Sequence, residues 1–151
     1  MKKRRGFTLL ELLMVVIIIG ILASIALPQY LRSAERARSA EALQLLSAIR
    51  SSELRFKATN AGSFYTQDYT QLDIDLPGVV PPGPVTVFTT PVGGVPVWSF
   101  AVTGTGPTQN AEATRTSTGN VVVIDLDTGT ICGKTATAAS VYGLNPPGGS
   151  C

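Results

Sequence analysis

The chain has 151 residues, no histidine, two cysteines, and 12 lysines and arginines against 10 aspartates and glutamates, which gives a formal charge of +2. Because histidine is absent the commonest general base is missing, and because basic and acidic residues are interspersed no nucleic-acid-binding patch is evident. The length allows a long helix and one small core but not two full domains. We therefore expect a non-enzymatic protein with no cofactor and no metal site.

The first element in chain order is a basic cluster followed by a long apolar run. Lys2 to Arg5 carry four positive charges, and residues 7–27 are apolar or small apart from Thr8, Glu11 and Ser24. A helix of this length spans about 30 Å, which is enough to cross a bilayer and longer than the apolar part of a conventional signal peptide. The positive charges predict that the N-terminus faces the cytoplasm and that the rest of the chain lies outside.

Glu11 is the ionisable residue inside this apolar run. A carboxylate in a membrane helix is costly and marks a functional position by default. Near the start of a helix that cost is smaller, because the positive end of the helix dipole favours an acid there. The position alone leaves both readings open, an interfacial acid or a functional one.

The stretch Gly6-Phe7-Thr8-Leu9-Leu10-Glu11, with its basic and apolar flanks, resembles the class III signal of type IV pilins and type II secretion pseudopilins. The resemblance implies that a prepilin peptidase cuts between Gly6 and Phe7 and methylates the new terminal amine. It also implies that Glu11 pairs with the terminal amine of a neighbouring subunit during assembly. A nearby ammonium offsets much of the cost of burying a carboxylate, so such a pairing is physically reasonable.

The resemblance continues through Gly20, Pro28 and Tyr30, which match a helix-weakening glycine, a kinking proline and a following aromatic residue in type IV pilins. Glycine costs about 1 kcal/mol relative to alanine inside a helix, and proline removes one helical hydrogen bond. Residues 20–28 are therefore predicted to be the weakest stretch. They fit either an ordinary membrane helix, where both residue types are tolerated, or a segment that loosens when subunits pack into a filament.

After Pro28 the pattern predicts an amphipathic helix that runs to about residue 58. Its apolar face is formed by Ala42, Leu45, Leu46, Ile49 and Phe56. Oppositely charged residues stand at i,i+3 spacing on the remainder, among them Arg50 and Glu53. We interpret these charges as a solvated face in preference to specific subunit contacts, because exposed pairs contribute little.

Residues 59–151 are predicted to form a β-sheet head on this helix. A loop with several turn signals covers residues 60–84, and strands are predicted at 95–102, 111–116 and 121–126, with a weaker one at 85–90. Intervening turns at 104–107 and 118–120 imply an antiparallel meander. The expected fold is α+β, the type IV pilin fold, in which a long N-terminal helix with a membrane-spanning half and an amphipathic half packs on a C-terminal antiparallel sheet.

Cys132 and Cys151 lie in the last part of the chain, and the predicted external position of the head permits their oxidation. We expect a disulfide between them, with two independent thiols as the alternative. It would close a loop rich in glycine and proline and too poor in apolar residues to hold itself, contributing about 3 kcal/mol. Pilins carry a surface-facing, disulfide-bounded C-terminal loop that looks similar.

Cleavage after Gly6 would remove four of the 12 basic residues and leave eight against ten acids, so the mature protein would be mildly acidic. The close acid pairs in the head are Asp73 with Asp75 and Asp125 with Asp127. Some major pseudopilins bind Ca²⁺ through such acids, but no complete oxygen-rich loop accompanies them here. We interpret them as solvated acids.

These observations divide the chain into a cleaved leader (1–6), a transmembrane and assembly helix (7–27), an amphipathic helix (28–58) and a head with a C-terminal disulfide loop (59–151). The favoured function is that of a type IV pilus subunit, which is held in the inner membrane after cleavage and polymerises with its own copies into an extracellular filament. Prepilin peptidase, the inner-membrane assembly machinery and the membrane itself are its expected partners. The resemblance implies roles such as adhesion, twitching motility or DNA uptake.

Three alternatives stay open. Within the family, the chain fits a pseudopilin or minor pilin of a type II secretion or competence system, although the cysteine loop favours a pilin. Outside it, the helix would only anchor a binding domain that never polymerises. Electron conduction along Phe7, Tyr30 and Phe56 is a further alternative, for which apolar packing is the favoured explanation of the same residues.

Overall fold

The computed structural model describes residues 6–60, 65–77, 85–92, 95–105 and 108–145. In chain order the elements are helix α1 (Leu9–Thr59), a 3-10 helix (Tyr69–Gln71), strands β1 (Val87–Val92), β2 (Val95–Thr105), β3 (Thr108–Arg115), β4 (Val121–Asp125) and β5 (Ile131–Gly133), and helix α2 (Ala136–Tyr142). By internal contacts the chain forms two compact units, Met1–Glu35 and Arg36–Cys151.

The first unit contains the amino-terminal part of α1, whose apolar side chains have no core to enter. From Leu9 to Leu31 its large apolar residues are 45–88% exposed. Among the described residues, one helix, α1, is sufficiently long and apolar to cross a membrane. A continuous apolar surface of this kind requires lipid or other apolar helices around it.

The second unit is built on an antiparallel sheet with the strand order β1-β2-β3-β4-β5. Each strand pairs with the next one along the chain, which confirms the predicted meander. Strands β2 and β3 form the longest ladder, from Trp98 opposite Arg115 to Thr105 opposite Thr108.

The core of the second unit lies between the carboxy-terminal part of α1 and one face of the sheet. Ala42, Leu46 and Ile49 recur every three to four residues on α1 and are fully buried. On β2 alternate residues, including Trp98 and Phe100, are fully buried in the same cluster. The helical period of 3.6 residues and the strand period of 2 thus bring two apolar faces together. The predicted α+β arrangement, a long helix packed on an antiparallel sheet as in pilins, is confirmed.

The region after β4 is more ordered than the sequence suggested, because β5 and α2 were not predicted. The Thr135 side chain accepts the Ala138 N–H at 3.1 Å and begins α2, and Gly143 ends it with a φ of 69°. A Cβ at Gly133 would stand 2.3 Å from the Ala139 nitrogen, so glycine is needed where β5 meets α2. The interpretation of this region as a loop unable to hold itself was wrong for its described part, since α2 buries Ala138, Ala139 and Tyr142.

We expect Leu46→Ala to lower the free energy of unfolding of the second unit by about 2–5 kcal/mol, because it leaves a cavity between α1 and the sheet. The exposed neighbour Gln44 provides a matched control, and Gln44→Ala should change the free energy of unfolding by less than about 0.5 kcal/mol. Chemical denaturation of the full chain in detergent measures both. Equal effects of the two variants would contradict helix-on-sheet packing at Leu46.

Candidate functional site

The segment Gly6–Thr8 precedes α1 and is exposed, with Phe7 80% exposed. Helix α1 then begins at Leu9, and the Thr8 hydroxyl accepts the backbone N–H of Glu11 at 3.2 Å. The Thr8 carbonyl accepts the Leu12 N–H at 3.2 Å, which is the first helical hydrogen bond. The two positions around the predicted cut therefore lie outside the helix, with a threonine capping its first turn.

Glu11 occupies the third position of α1, in the spacing Thr-x-x-Glu that is typical of a helix capping box. In the described chain Glu11 takes part in this box through its backbone N–H, which donates to Thr8, and not through its carboxylate. Its side chain is exposed, and among the described residues no hydrogen bond or ion pair of its carboxylate is present. Both a dipole-stabilised acid and an acid that pairs with another subunit are compatible with this geometry.

Helix α1 continues through both Gly20 and Pro28. A Cβ at Gly20 would meet nothing within 4 Å, so nothing in the described chain requires glycine there. Because Pro28 has no N–H, the carbonyl four residues earlier, that of Ser24, lacks its helical donor. The Ser24 hydroxyl donates to the Ile21 carbonyl at 2.7 Å. The weakening of residues 20–28 stays a prediction.

Two aspartates of the head bind basic residues of α1 rather than facing solvent alone. Asp73 accepts two hydrogen bonds from the Arg55 guanidinium, at 2.5 and 2.7 Å, and one from the Ser52 hydroxyl. Asp127 accepts hydrogen bonds from Lys57 Nζ at 2.8 Å and from the Tyr65 hydroxyl at 2.5 Å. The side chains of Asp73 and Asp127 are 55% and 42% exposed, so both are solvated as predicted. The interpretation as plain acids missed that each ties α1 to another part of the head.

The same bonds shift the pKa values of both carboxyl groups. The Arg55 and Ser52 donors lower the pKa of Asp73 well below its ordinary value, and the Lys57 and Tyr65 donors lower the pKa of Asp127. A lowered pKa means that the associated stability is present at neutral pH and is lost as the carboxylate becomes protonated in acid. Both contacts are therefore constant around neutrality.

Glu53 has a different environment, since it is fully buried on the sheet-facing side of α1. Its Oε2 accepts the Thr66 backbone N–H at 2.9 Å. Burial raises the pKa of Glu53 to about 7, although the hydrogen bond from Thr66 opposes the shift. The interpretation of Glu53 as part of a solvated pair with Arg50 was wrong. The sequence held the signal, because Glu53 follows Leu46 and Ile49 by seven and four residues and so shares their face.

Arg50 also contacts the head instead of pairing on a solvated helix face. Its guanidinium donates to the Leu126 carbonyl at 3.0 Å and to the Asp127 carbonyl at 2.9 Å. A Cβ at Gly129 would approach this guanidinium to 3.0 Å, and the φ of Gly129 is +77°. Arg50 therefore fastens the turn after β4 to α1.

Cys132 lies in β5 and is 1% exposed, and its backbone forms a bridge with Asn145. Cys151 lies outside the described residues. The Cys132–Cys151 disulfide therefore stays a prediction. In the described part of the chain, no group of three or more acidic, histidine or cysteine side chains is arranged to hold a metal ion.

The comparisons with known proteins concern mainly the amino-terminal region. Residues 1–27 match the family described as the prokaryotic N-terminal methylation motif. The chain is 50% identical over 50 residues to a fimbrial protein of Pseudomonas aeruginosa, which covers 33% of this chain and 32% of that protein. It is 44% identical over 54 residues to the type IV major pilin protein PilA of Myxococcus xanthus, covering 36% and 24%.

A second group of relatives comes from secretion systems. The chain is 31% identical over 81 residues to the type II secretion system core protein G of Klebsiella pneumoniae, covering 54% of this chain and 58% of that protein. The matches thus span from about a quarter to less than two thirds of the relatives' own lengths. No solved structure matches the chain.

Taken with the long helix and its antiparallel sheet, these matches support a pilin-like subunit. The N-terminal region of the chain is similar to that of type IV pilins and type II secretion pseudopilins.

Proposed function

We propose that this chain is the structural subunit of a type IV pilus, processed at its N-terminus and polymerised through α1. The observation that carries the proposal is the exposed Gly6–Glu11 motif at the start of an unburied apolar helix. A subunit of this design has no need of catalytic chemistry, so we propose a structural protein rather than an enzyme.

Processing is proposed between Gly6 and Phe7, with methylation of the Phe7 amine. A peptidase needs an accessible stretch of backbone that is free of helical hydrogen bonds. Gly6 and Phe7 meet this requirement, because both are exposed and precede α1. The boundaries proposed after cleavage are 7–27 for the transmembrane and assembly helix, 28–58 for the amphipathic helix and 59–151 for the head.

The proposed course is insertion in the inner membrane and then transfer to a surface filament. In both places the side chains of residues 9–31 would be covered, first by lipid and then by the equivalent helices of other copies. Prepilin peptidase and the inner-membrane assembly machinery are the proposed partners in these steps. Gly20 and Pro28 are proposed to let residues 20–28 loosen during the transfer, because proline removes a helical hydrogen bond there.

Assembly is proposed to pair the Glu11 carboxylate with the Phe7 amine of a neighbouring subunit. In the described chain Glu11 has no ionic partner, and packing apolar helices around it would remove its water. An incoming ammonium would compensate that loss and fix the position of one subunit against the next.

We expect Glu11→Gln to reduce the amount of sheared filament by at least about tenfold, because removing one member of a buried ion pair costs several kcal/mol. The glutamine variant separates this role from helix capping, since glutamine also serves at the third position of a capping box. Glu41→Gln, at an exposed position on the same helix, is the matched control and should assemble normally.

Immunoblots of membrane and sheared fractions measure both variants, and the membrane content should be equal. Normal filament yield from Glu11→Gln would reduce Glu11 to a capping residue and remove it from the assembly contact.

A pseudopilin or minor pilin of a type II secretion or competence system is the second proposal. It is supported by the similarity to core protein G, which extends over more of the chain than the similarity to the fimbrial proteins. Against a Ca²⁺-binding pseudopilin stands the engagement of Asp73 with Arg55 and of Asp127 with Lys57. Those carboxylates are occupied, so we favour the pilus subunit, with adhesion, twitching motility or DNA uptake as its role.

We also propose that Cys132 and Cys151 form a disulfide that closes the C-terminal loop. Cys132 is buried in β5, so its thiol is fixed at one end of that loop. We expect the oxidised full chain to resist alkylation under denaturing conditions and reduction to lower the free energy of unfolding by about 3 kcal/mol.

The double variant Cys132→Ala/Cys151→Ala is the control for this experiment and should be indifferent to the reductant. Alkylation of both cysteines without prior reduction would contradict the disulfide.

A further inference from the structure

The segment of residues 65–77, called the connecting segment below, lies between α1 and the sheet in the sequence and contacts α1 at three places. At its first residue, Lys57 Nζ donates to the Tyr65 hydroxyl at 3.4 Å. Near its start, the Thr66 N–H donates to the Glu53 carboxyl group. Near its end, Asp73 accepts hydrogen bonds from Arg55 and Ser52. Tyr69 and Leu72 are buried between the anchors at Thr66 and Asp73. The two anchors differ in burial, and this difference determines how each responds to pH.

The anchor at Glu53 is buried, whereas the anchor at Asp73 is exposed to solvent. Glu53 is 0% exposed, while the side chains of Arg55 and Asp73 are 52% and 55% exposed. Among the described residues the second Glu53 oxygen, Oε1, is buried and has no hydrogen-bond partner. An ionised carboxylate with a single backbone donor is poorly compensated in such a place, whereas a neutral carboxyl group is tolerated.

We propose that Glu53 is a proton-operated latch, which holds the start of the connecting segment on α1 when protonated and releases it when ionised. Ionisation favours any motion that lets water reach the carboxylate, and the backbone N–H that binds the carboxylate is that of Thr66. Tyr65 would move with Thr66, because it is the adjacent residue in the chain. That motion would strain the hydrogen bond from the Tyr65 hydroxyl to Asp127 in the turn after β4. The latch does not depend on the proposed role in a filament.

The charged and titratable side chains of the elements packed around Glu53 are Arg50, Arg55 and Lys57 on α1, Tyr65, Asp68, Tyr69 and Asp73 in the connecting segment, and Asp127 after β4. Burial raises the pKa of Tyr69, and the negative charge of Glu53 raises it further. The pKa values of the three aspartates are lowered and those of Tyr65, Arg55 and Lys57 are raised. None of these shifted groups changes its protonation state near neutral pH. The chain also has no histidine that would titrate in this range.

The pH range of the latch follows from the pKa of Glu53, which is raised from 4.5 to about 7 by burial. The closed state binds the proton more tightly than the open state, in which the carboxyl group is hydrated. The extra stability of the closed state is therefore complete below about pH 4.5 and declines as the pH rises towards and through 7. The aspartates act in the opposite sense, and only in acid.

Hydrogen exchange of the full chain in detergent tests the latch. Protection factors of the peptide that contains Thr66, corrected for the intrinsic change of exchange rate with pH, should fall about 30-fold between about pH 5.5 and about pH 8.5. In Glu53→Gln the protection should be independent of pH, because glutamine does not ionise. Glu41→Gln, which changes an exposed glutamate of α1, should retain the fall seen in the unmodified chain.

The unmodified chain decides the question even if Glu53→Gln does not fold. Over the range from about pH 5.5 to about pH 8.5, a decline that is steepest below about pH 7, levels off above it and is confined to the connecting segment supports the latch. Constant protection across this range would overturn it. An equal decline of protection in β2 and β3 would also overturn the latch, because it would indicate global unfolding instead of local release. A Glu53→Gln variant with the pH dependence of the unmodified chain would overturn the latch as well.

Discussion

The 51-residue helix α1 carries apolar side chains along its whole length, and these side chains have to be shielded from water. In its carboxy-terminal part this is achieved within the chain, because Leu46 and Ile49 are buried in the same core as Trp98 and Phe100. In its amino-terminal part the described residues leave the apolar side chains uncovered, and Leu9 and Ile17 are among those exposed. A helix that is half covered by its own head and half dependent on other molecules is suited to a subunit that moves from a membrane into an assembly.

Polar contacts complete what apolar packing begins. Asp73 and Asp127 tie the head to Arg55 and Lys57 at solvent-exposed positions. Ion pairs at such positions contribute little to the stability of the fold. Glu53 lies in the dry part of the same helix, where its charge is costly. Within two turns of α1, therefore, two ion pairs are constant near neutral pH, and one buried carboxyl group, that of Glu53, is sensitive to it. This contrast is the basis of the latch proposed for Glu53.

Much of this fold was predictable from the sequence, and the exceptions have physical reasons. Strands β2 and β4 follow from runs rich in β-branched residues, with aromatic residues in β2, and β3 follows from its position between two turns. The buried face of α1 follows from its period. Strand β5 has three residues and α2 has seven, which is too few for periodicity to reveal them. Thr135 and Gly143 are nevertheless ordinary signals for the start and the end of a helix. Spacing placed Glu53 on the buried face, but its charge masked that signal.

The candidate processing site was predictable because it is a local motif, whereas the partners of Asp73 and Asp127 depend on tertiary contacts that no spacing encodes. The proposed function requires that the chain is cut before Phe7 and polymerises. The intact mass of this protein in filaments sheared from producing cells tests this requirement. We expect a chain that starts at Phe7 and carries one added methyl group. A chain that still starts at Met1, found in membranes and absent from filaments, would contradict it.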